Sequence, residues 1–372
     1  MLTAARALVL VMLLSLGMPA GAADSYPNHA VRVVVPFAQG GADASREQGS
    51  RLRDATVRES APAAVLIAQA SGSVERYPAR PVRMVVPFAP GGSDIVARML
   101  AQKLSEKLGQ PFVVENRGGA AGMVGAEVVA KSAPDGYTVL FCTASHAVTA
   151  VYYRKVPYDP VRDFAAVASV GSVPFVLTVH PALPVKSIRE FVALARSRPG
   201  ELFYSSPGTG SIGHLADELF AKRTGIRVTH VAYKGTGPAL TALLSGEVQF
   251  ALPNISGALA HIRSGKLKTL GIASAGRAPM APDLVTMREA GVDLVSGTWY
   301  GVLAPRGTPA AAIDILNREL GALLKTASMH EQLVARGVVL EIMSPQEFAD
   351  FVRAEIDKWG GVMKDARIQQ ED

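Results

Sequence analysis

The sequence predicts an α/β fold of two lobes, each a largely parallel β-sheet with helices on both faces. Two observations lead to this prediction. Apolar runs of strand length alternate with amphipathic stretches of helical period, which is typical of a parallel sheet covered by helices. The alternation completes one cycle between Val82 and Thr143 and a second between Ser187 and Ala273. Because each cycle can form a sheet of its own, we expect two lobes.

The first cycle reads strand, helix, strand, helix, strand. These elements are predicted at residues 82–88, 93–108, 112–115, 122–131 and 137–143. In the second cycle, helices are predicted at 187–197, 213–222, 238–245 and 258–264, and strands at 202–205, 228–233, 250–252 and 269–273. Helices at 308–325, 329–336 and 345–364 complete the chain.

Two apolar segments that contain proline and lack a helical period are predicted to connect the lobes. They are Phe175–Pro184 and Trp299–Pro309, and such segments favour extended backbone. We therefore assign residues 77–176 and 299–372 to lobe 1 and residues 177–298 to lobe 2. The two crossovers are predicted to form the hinge between the lobes.

The N-terminus has the pattern of a secretory signal peptide. Arg6 precedes an apolar run from Ala7 to Leu16, and small residues follow at Ala20–Ala23. A run of this length is too short to span a bilayer, but it fits the apolar region of a signal peptide. We predict that residues 1–23 are a signal peptide and that the mature chain is exported.

A partial internal repeat precedes the first cycle. The segment Tyr26–Asp43 recurs with few changes at Tyr77–Asp94, and both copies read as a strand followed by a glycine-rich turn. Only the second copy continues into a helix, so only this copy forms a complete unit. Residues 24–76 are therefore predicted to be a partial duplicate of the first strand plus a linker, at the periphery of the fold.

Composition and charge argue against several classes of function. The net charge is +6, but the lysines and arginines are scattered without a basic run or an interleaved aromatic surface, so no nucleic-acid partner is expected. The single cysteine, Cys142, lies in an apolar run and is predicted to be a buried, inert thiol. Histidine, cysteine and acidic residues nowhere adopt the spacing of metal ligands, so neither a metal nor another cofactor is predicted.

The first glycine-rich turn connects a predicted strand to a predicted helix. Glycines let backbone N–H groups approach a ligand, and the N-terminus of a helix carries about half a positive charge. The turn is therefore predicted to bind an anion without a cationic side chain. Alternatively, it is only a turn in which Ser93 or Asp94 caps the helix. The ligand-binding candidates here are Phe88, Pro90, Gly91, Gly92 and Ser93.

A second glycine-rich turn repeats this arrangement in lobe 2. Gly208, Gly210 and Gly213 match the GxGxxG pattern of dinucleotide sites, so an NAD(P)-dependent oxidoreductase is one alternative function. Such a site requires an acidic residue at the end of the next strand, and none is present there. Hydroxyl groups in the turn suit a carboxylate instead. The candidates in this segment are Ser206, Gly208, Thr209, Ser211 and His214.

Further candidates follow predicted strands at the same edge of each sheet. Loops beyond the carboxyl ends of parallel strands gather at the ligand crevice, so we expect these residues to lie near the two glycine-rich turns. Alternatively they lie on the surface, with Lys234 as a solvated charge. They are Thr143 and Ser145, which open a predicted loop, together with Tyr233, Lys234 and Asn254.

Residues 77–372 resemble a known family over essentially their whole length. Matching segments include YPARPVRMVVPFAPGGSD, VVENRGGAAGMVGAEVVAKSAPDGYTVL, SSPGTGSIGHLADELF, HVAYKGTGPALTALLSGEVQF and TWYGVLAPRGTP. In these segments the sequence is similar to the periplasmic solute-binding proteins of tripartite tricarboxylate transporters, often called the Bug family.

The resemblance implies a fold, a ligand and a partner. It implies a two-lobed flytrap fold in the periplasm that binds a small carboxylate in its cleft, namely a dicarboxylate or tricarboxylate, an acidic amino acid or an aromatic acid. It implies membrane permease subunits as partners, and we expect a monomer without catalytic activity. A ligand sensor that partners a signalling kinase is a further alternative.

Overall fold

The chain folds around two β-sheets, and the structure, a computed structural model, describes residues 65–68, 74–278 and 280–371. The predicted signal peptide and the first copy of the repeat, Tyr26–Asp43, lie outside the described residues. All described residues belong to one unit, residues 60–372.

The secondary-structure elements alternate along the chain as follows. The strands are β1 (Val65–Ala68), β2 (Val74–Tyr77), β3 (Val82–Val86), β4 (Phe112–Asn116), β5 (Thr138–Thr143), β6 (Phe164–Pro174), β7 (Val176–Val179), β8 (Phe203–Ser206), β9 (Thr229–Ala232), β10 (Phe250–Ala251), β11 (Lys268–Ile272), β12 (Gly297–Pro305) and β13 (Val339–Leu340). The helices are α1 (Gly92–Leu108), α2 (Met123–Ala130), α3 (Ser145–Tyr152), α4 (Ile188–Ser197), α5 (Ile212–Thr224), α6 (Thr236–Ser245), α7 (Ile255–Arg263), α8 (Ala310–Leu324), α9 (Ala327–Val334) and α10 (Pro345–Asp365).

In the described part of the chain, a six-stranded sheet forms lobe 1 and a five-stranded sheet forms lobe 2. The strand order is β13-β6-β12-β5-β3-β4 in lobe 1 and β11-β7-β10-β8-β9 in lobe 2. In lobe 1, β3 to β6 run in one direction and β12 and β13 run against them. In lobe 2, β7 runs against the other strands. The predicted two-lobed α/β fold with mostly parallel sheets is confirmed.

Burial on both faces of the sheets explains the continuous apolar runs of the sequence. Val82, Met84, Val85 and Val86 of β3 are all fully buried, as expected for a strand that is covered by helices on both sides. One cluster of buried side chains includes residues of α1, α6, α7 and α8, and a second includes residues of α2, α3, α4, α5 and α10. Both clusters contain residues of both lobes, so the two lobes share their core across the crossovers.

The chain crosses between the lobes at two places that lie side by side. The first crossing is at Phe175, between β6 and β7, and the second lies between the end of β11 and the start of β12. Backbone hydrogen bonds join them: Phe175 N–H to Ser296 O at 3.1 Å, Ala273 N–H to Phe175 O at 2.8 Å, and Ser296 N–H to Ala273 O at 2.8 Å. We call these three residues the hinge.

The predicted second crossover, Trp299–Pro309, is wrong. Trp299 to Pro305 belong to β12, which lies between β6 and β5 inside the sheet of lobe 1. An apolar run that ends in proline has the same pattern in a buried strand and in an extended connection, so the sequence did not separate the two. The first predicted crossover, Phe175–Pro184, contains the crossing at Phe175, but its residues Val176–Val179 form β7 of lobe 2.

The predicted helices and strands of both cycles are present, and their ends differ from the prediction by at most three residues. The predicted loop at Thr143 and Ser145 is wrong, because Ser145 begins α3. The strands β1 and β2 form an antiparallel pair outside the two large sheets. Among the described residues, no helix combines the length and the apolar character needed to cross a bilayer.

Candidate functional site

Within the described chain, five helices begin at the cleft between the lobes, and their first residues line one cavity. The cavity has a volume of about 30 Å³ and is lined at the helix starts by Ser93 of α1, Ser145 of α3, Gly213 of α5, Thr236 of α6 and Asn254 before α7. A water molecule needs roughly 10–15 Å³ of such volume, so the cavity is small. Because the N-terminus of a helix carries a partial positive charge, the five helices favour a negative charge at this point.

The rest of the cavity wall is neutral. Among the described residues that line the cavity, none is charged. The hydroxyl of Tyr300 is buried, and burial raises its pKa although nearby Ser256 lowers it, so this phenol is uncharged. An anion in the cavity would therefore be held by N–H and O–H groups. The remaining lining residues are Phe88, Thr143, Phe175, Pro207, Ile212, Leu252, Pro253, Thr298 and Tyr300.

The helix starts differ in how their N–H groups are used. Ser211 caps α5 by accepting from His214 N–H, and Asn254 caps α7 by accepting from Gly257 N–H. Among the described residues, no side chain caps α1, whose N-cap is Gly91, or α6, whose N-cap is Gly235. The suggested caps of α1, Ser93 and Asp94, are thus wrong, and Asp94 instead forms an ion pair with Arg98 at 2.9 Å. Since the orphan N–H groups at a helix start need an acceptor, α1 and α6 offer donors to a ligand.

Backbone and side-chain hydrogen bonds connect the lobes across the cleft. The Ala89 N–H donates to the Lys234 carbonyl at 2.9 Å. The Ile212 N–H donates to Ser145 Oγ at 3.1 Å, and the Tyr153 hydroxyl donates to the Thr209 carbonyl at 2.7 Å. The two lobes are therefore in direct contact, and the structure shows a closed cleft.

A groove with a volume of about 750 Å³ lies on the outer side of this contact. It contains four of the predicted ligand-binding residues: Pro90, Gly91, Gly92 and Tyr233. Five others line the inner cavity: Phe88, Ser93, Thr143, Ser145 and Asn254. The structure thus brings predicted residues of the first glycine-rich turn and of both lobes to neighbouring faces of the cleft, but none of those predicted in the second glycine-rich turn.

Thr209 and His214 line a third cavity, with a volume of about 420 Å³, that is separate from the inner cavity. His214 is 6% exposed, and burial lowers its pKa to about 4. A direct contact between His214 and a ligand in the inner cavity, as the sequence suggested, is therefore not supported by its position.

Four predicted residues line none of these three cavities. Ser206 Oγ contacts His230 Nε2 at 2.7 Å and accepts from Gly208 N–H at 3.1 Å. Ser211 is buried as the cap of α5. Lys234 is exposed and contributes its backbone carbonyl to the contact between the lobes. The structure places these residues, Ser206, Gly208, Ser211 and Lys234, in positions that shape the glycine-rich turns.

Several cavity residues were not among the predicted ones. Phe175 lies at the hinge, and Thr298 and Tyr300 alternate along β12, where their apolar surroundings do not separate them from ordinary core residues although both lie in the segment TWYGVLAPRGTP. Thr236 begins α6 directly after Gly235, and this position could have been found from the same glycine-and-helix-start pattern as in the other turns.

The remaining buried titratable groups lie outside the cavity wall. Cys142 is fully buried, and burial raises the pKa of its thiol, as predicted for an inert cysteine. Asp217 of α5 is 1% exposed, and burial raises its pKa well above the ordinary value for aspartate, with a further contribution from nearby Glu218. No group of three or more metal-ligating side chains is found among the described residues.

Two lobes, a two-segment hinge and a cleft lined by helix N-termini define a two-lobed binding protein. A family model described as "Tripartite tricarboxylate transporter family receptor" (TctC) matches residues 96–368. This chain belongs to that family and is a solute-binding protein.

Relatives and solved structures support this assignment. BugT of Bordetella pertussis is 41% identical over 297 residues, which cover 79% of this chain and 91% of BugT. A structure of an R. palustris protein with adipate is 39% identical, with a TM-score of 0.77, and the match covers 79% of this chain and 100% of that chain. MatC from Rhodopseudomonas palustris with bound malate is 35% identical, with a TM-score of 0.74 and coverage of 77% and 99%.

Proposed function

We propose that this chain captures a small carboxylate in the cavity between its lobes and delivers it to the permease subunits of a tripartite tricarboxylate transporter. The observation that carries this proposal is the convergence of five helix starts on a cavity whose described lining is uncharged. Helix N-termini combine partial positive charge with backbone N–H donors, and this combination is suited to anions.

The energetics favour a carboxylate held by several donors at once. Removing a carboxylate from water costs several kcal/mol, and a hydrogen bond to a charged group contributes about 1.5–3 kcal/mol. Two or three such bonds offset the cost. The uncapped starts of α1 and α6 supply backbone donors, and the hydroxyls of Thr143 and Ser145 supply two more at the cavity wall.

Capture requires that the lobes separate. With about 30 Å³ between the closed lobes, a molecule the size of a dicarboxylate enters only when the cleft opens at the hinge. A ligand that contacts both lobes then stabilises a closed form, because it gains contacts there that the open form lacks. Adipate and malate, found with the two solved relatives, make dicarboxylates the first candidates.

The same arrangement argues for transport rather than catalysis. The described lining of the proposed site contains no charged side chain, and burial raises the pKa of its Tyr300 hydroxyl, so the site is poorly suited to general acid–base catalysis. The family description supports delivery to a permease over partnership with a signalling kinase. With the signal-peptide pattern of residues 1–23, it also supports a periplasmic location.

A dinucleotide site at Gly208–Gly213 is not supported. A Cβ atom on Gly210 would lie 2.6 Å from Tyr153 Cε2, so this turn packs against the other lobe and leaves little room for a pyrophosphate. The next strand, β9, ends at Ala232 without a carboxylate for a ribose.

A thermal-shift screen tests the proposed function. The purified chain is heated with dicarboxylates, tricarboxylates, acidic amino acids, aromatic acids, NAD and NADP. We expect at least one carboxylate to raise the melting temperature and neither nucleotide to do so. Stabilisation by a nucleotide alone, or by none of the compounds, would contradict the proposal.

A further inference from the structure

Two histidines support the second glycine-rich turn from the side away from the inner cavity. His214 lies in the first turn of α5, and His230 lies in β9. Their rings stack with centroids 4.1 Å apart and planes inclined by 24°. Tyr204 of β8 stacks on His230 at 4.9 Å, and Tyr152 of α3 meets His214 edge-on at 5.7 Å. The pair is therefore fixed by aromatic contacts from both lobes.

Both histidines hold atoms of the turn by hydrogen bonds. The Gly210 N–H donates to His214 Nδ1 at 3.2 Å. His230 Nε2 lies 2.7 Å from Ser206 Oγ, which also accepts from the Gly208 N–H at 3.1 Å. A histidine nitrogen accepts a hydrogen bond only when it carries no proton, so the bond from Gly210 requires a neutral His214.

The turn held in this way faces the proposed ligand and the other lobe. Pro207 lines the inner cavity. The Thr209 carbonyl accepts from the Tyr153 hydroxyl, and Ile212 N–H donates to Ser145 Oγ; both bonds join the lobes. Moving the turn would therefore change the cavity wall and the contacts that close the cleft.

We propose that His214 and His230, as neutral imidazoles, are positioning residues that hold the Ser206–Ser211 turn in the geometry that closes on the ligand. This inference rests on the proposed function, because it assigns the pair a role at the same site. In this role neither ring contacts the ligand, because His214 lines a separate cavity and the Nε2 atom of His230 contacts Ser206 Oγ.

The groups around the pair decide how it responds to pH. Burial lowers the pKa of both histidines to about 4, and His214 further lowers that of His230. Both rings are therefore neutral at pH 7, and protonation near pH 4 removes the acceptor for Gly210. The titratable and charged groups that face the pair are Glu218 and Lys222 of α5, Tyr204 of β8, Tyr152 of α3, and Arg367 and Glu371 after α10.

Two sets of variants separate positioning from simple packing. His214→Leu fills similar space but removes the acceptor, and we expect it to weaken adipate or malate binding by about tenfold, because an unsatisfied buried N–H is costly. His214→Asn places an oxygen near the position of Nδ1 and should restore most of the affinity. His330→Asn, on the exposed side of α9, is the matched control and should bind like wild type.

The pH profile supplies a second measurement. The double variant His214→Asn/His230→Gln keeps polar partners for the turn but cannot titrate. Protonation of adipate affects wild type and variant equally. The ratio of their dissociation constants therefore reports only the effect of histidine protonation on binding. We expect this ratio to be constant from pH 8 to pH 5 and the wild type to lose affinity faster below pH 5. A ratio that stays constant down to pH 4 would overturn the proposal.

Amide hydrogen exchange tests the same point without a ligand. We expect the Gly210 amide to exchange faster in His214→Leu than in wild type and at the wild-type rate in His330→Asn. Unchanged exchange at Gly210, or faster exchange with unchanged ligand affinity, would refute the positioning role. If wild type binds no carboxylate, the proposed function fails while this exchange measurement still decides whether the pair holds the turn.

Discussion

A Cβ atom on Gly91 would lie 2.6 Å from the backbone nitrogen of Gly237, which belongs to the opposite lobe. Real Cβ atoms do not approach backbone this closely, so both residues must be glycine for the lobes to close as they do. A Cβ atom on Gly237 would likewise overlap the Pro90 carbonyl oxygen. The glycine pair sets how near α1 and α6 can come to each other.

Gly237→Ala should therefore impair closure without harming either lobe. Alanine favours a helix over glycine by about 1 kcal/mol, so the melting temperature should not fall. Overpacking costs about 1–3 kcal/mol, which corresponds to roughly 5- to 150-fold weaker adipate or malate binding. Small-angle scattering should show a larger radius of gyration with saturating ligand than for wild type.

Gly361→Ala in α10 is the matched control, because a Cβ atom at that helical position meets no atom of the described residues within 4 Å. It should bind like wild type. If Gly237→Ala and Gly361→Ala bind ligand with equal affinity and reach the same radius of gyration, then the close contact between α1 and α6 does not form when ligand binds.

Ser145→Ala should weaken binding for a different reason. Its hydroxyl accepts the Ile212 N–H across the cleft at 3.1 Å and also lines the cavity. Loss of one such hydrogen bond costs about 0.5–1.5 kcal/mol, so calorimetry should show affinity reduced about 2- to 12-fold. Ser328→Ala, exposed on α9, serves as the control. A Ser145→Ala variant that binds as tightly as the control would remove Ser145 from the site.

The fold was largely predictable because its strands carry continuous apolar runs. The run at Val82–Val86 and the helix that begins at Gly92 leave few alternatives to a strand, a turn and a helix. The hinge was harder to predict, because Ala273 and Ser296 form it through backbone hydrogen bonds. Backbone hydrogen bonds do not depend on the kind of side chain, so the sequence pattern does not reveal them. The apolar segment Trp299–Pro305 was misplaced because burial in a sheet and an extended crossover favour the same residues.

The candidate site was predictable where a glycine-rich turn precedes a helix and where a strand ends at the cleft. This combined pattern identified Ser93 from the turn and Thr143, Ser145 and Asn254 from the strand ends, and all four line the cavity. It could not identify Phe175 or Tyr300, because their position at the cavity depends on how the two sheets meet. It also overestimated His214, which lines a separate cavity, and Lys234, which is exposed after β9.

Asp217→Asn should stabilise the protein at neutral and alkaline pH. Both carboxylate oxygens of Asp217 are buried, and burial, assisted by Glu218, raises the pKa of this group well above its ordinary value although the Leu252 backbone lowers it. A raised pKa in the folded state means that the group favours folding at low pH and that this contribution is lost as the pH rises through the raised pKa.

Melting curves at pH 4 and pH 8 test this expectation. The melting temperature of Asp217→Asn should exceed that of wild type slightly at pH 4 and by more at pH 8. Each kcal/mol of added stability corresponds to roughly 2–4 °C. Asp357→Asn, exposed on α10, should show no such dependence. A gain that is equal at both pH values would mean that Asp217 does not carry a raised pKa.

Cys142 should be unreactive in the folded protein. Its side chain is 0% exposed and burial raises the pKa of the thiol, so both access and thiolate formation are restricted. Maleimide labelling at pH 7.5 should be negligible without denaturant and complete after unfolding in guanidinium. Rapid labelling of the native protein would show that the core around β5 opens readily.

Calorimetry with an acid and its neutral amide shows whether backbone and hydroxyl donors at the converging helix starts hold a carboxylate by its charge. Adipate and adipamide have the same chain length and differ mainly in charge. Since charged acceptors form hydrogen bonds about twice as strong as neutral ones, we predict that adipate, or malate against malamide, binds at least about tenfold more tightly than the amide. Equal affinity for acid and amide would mean that the helix starts do not select a negative charge.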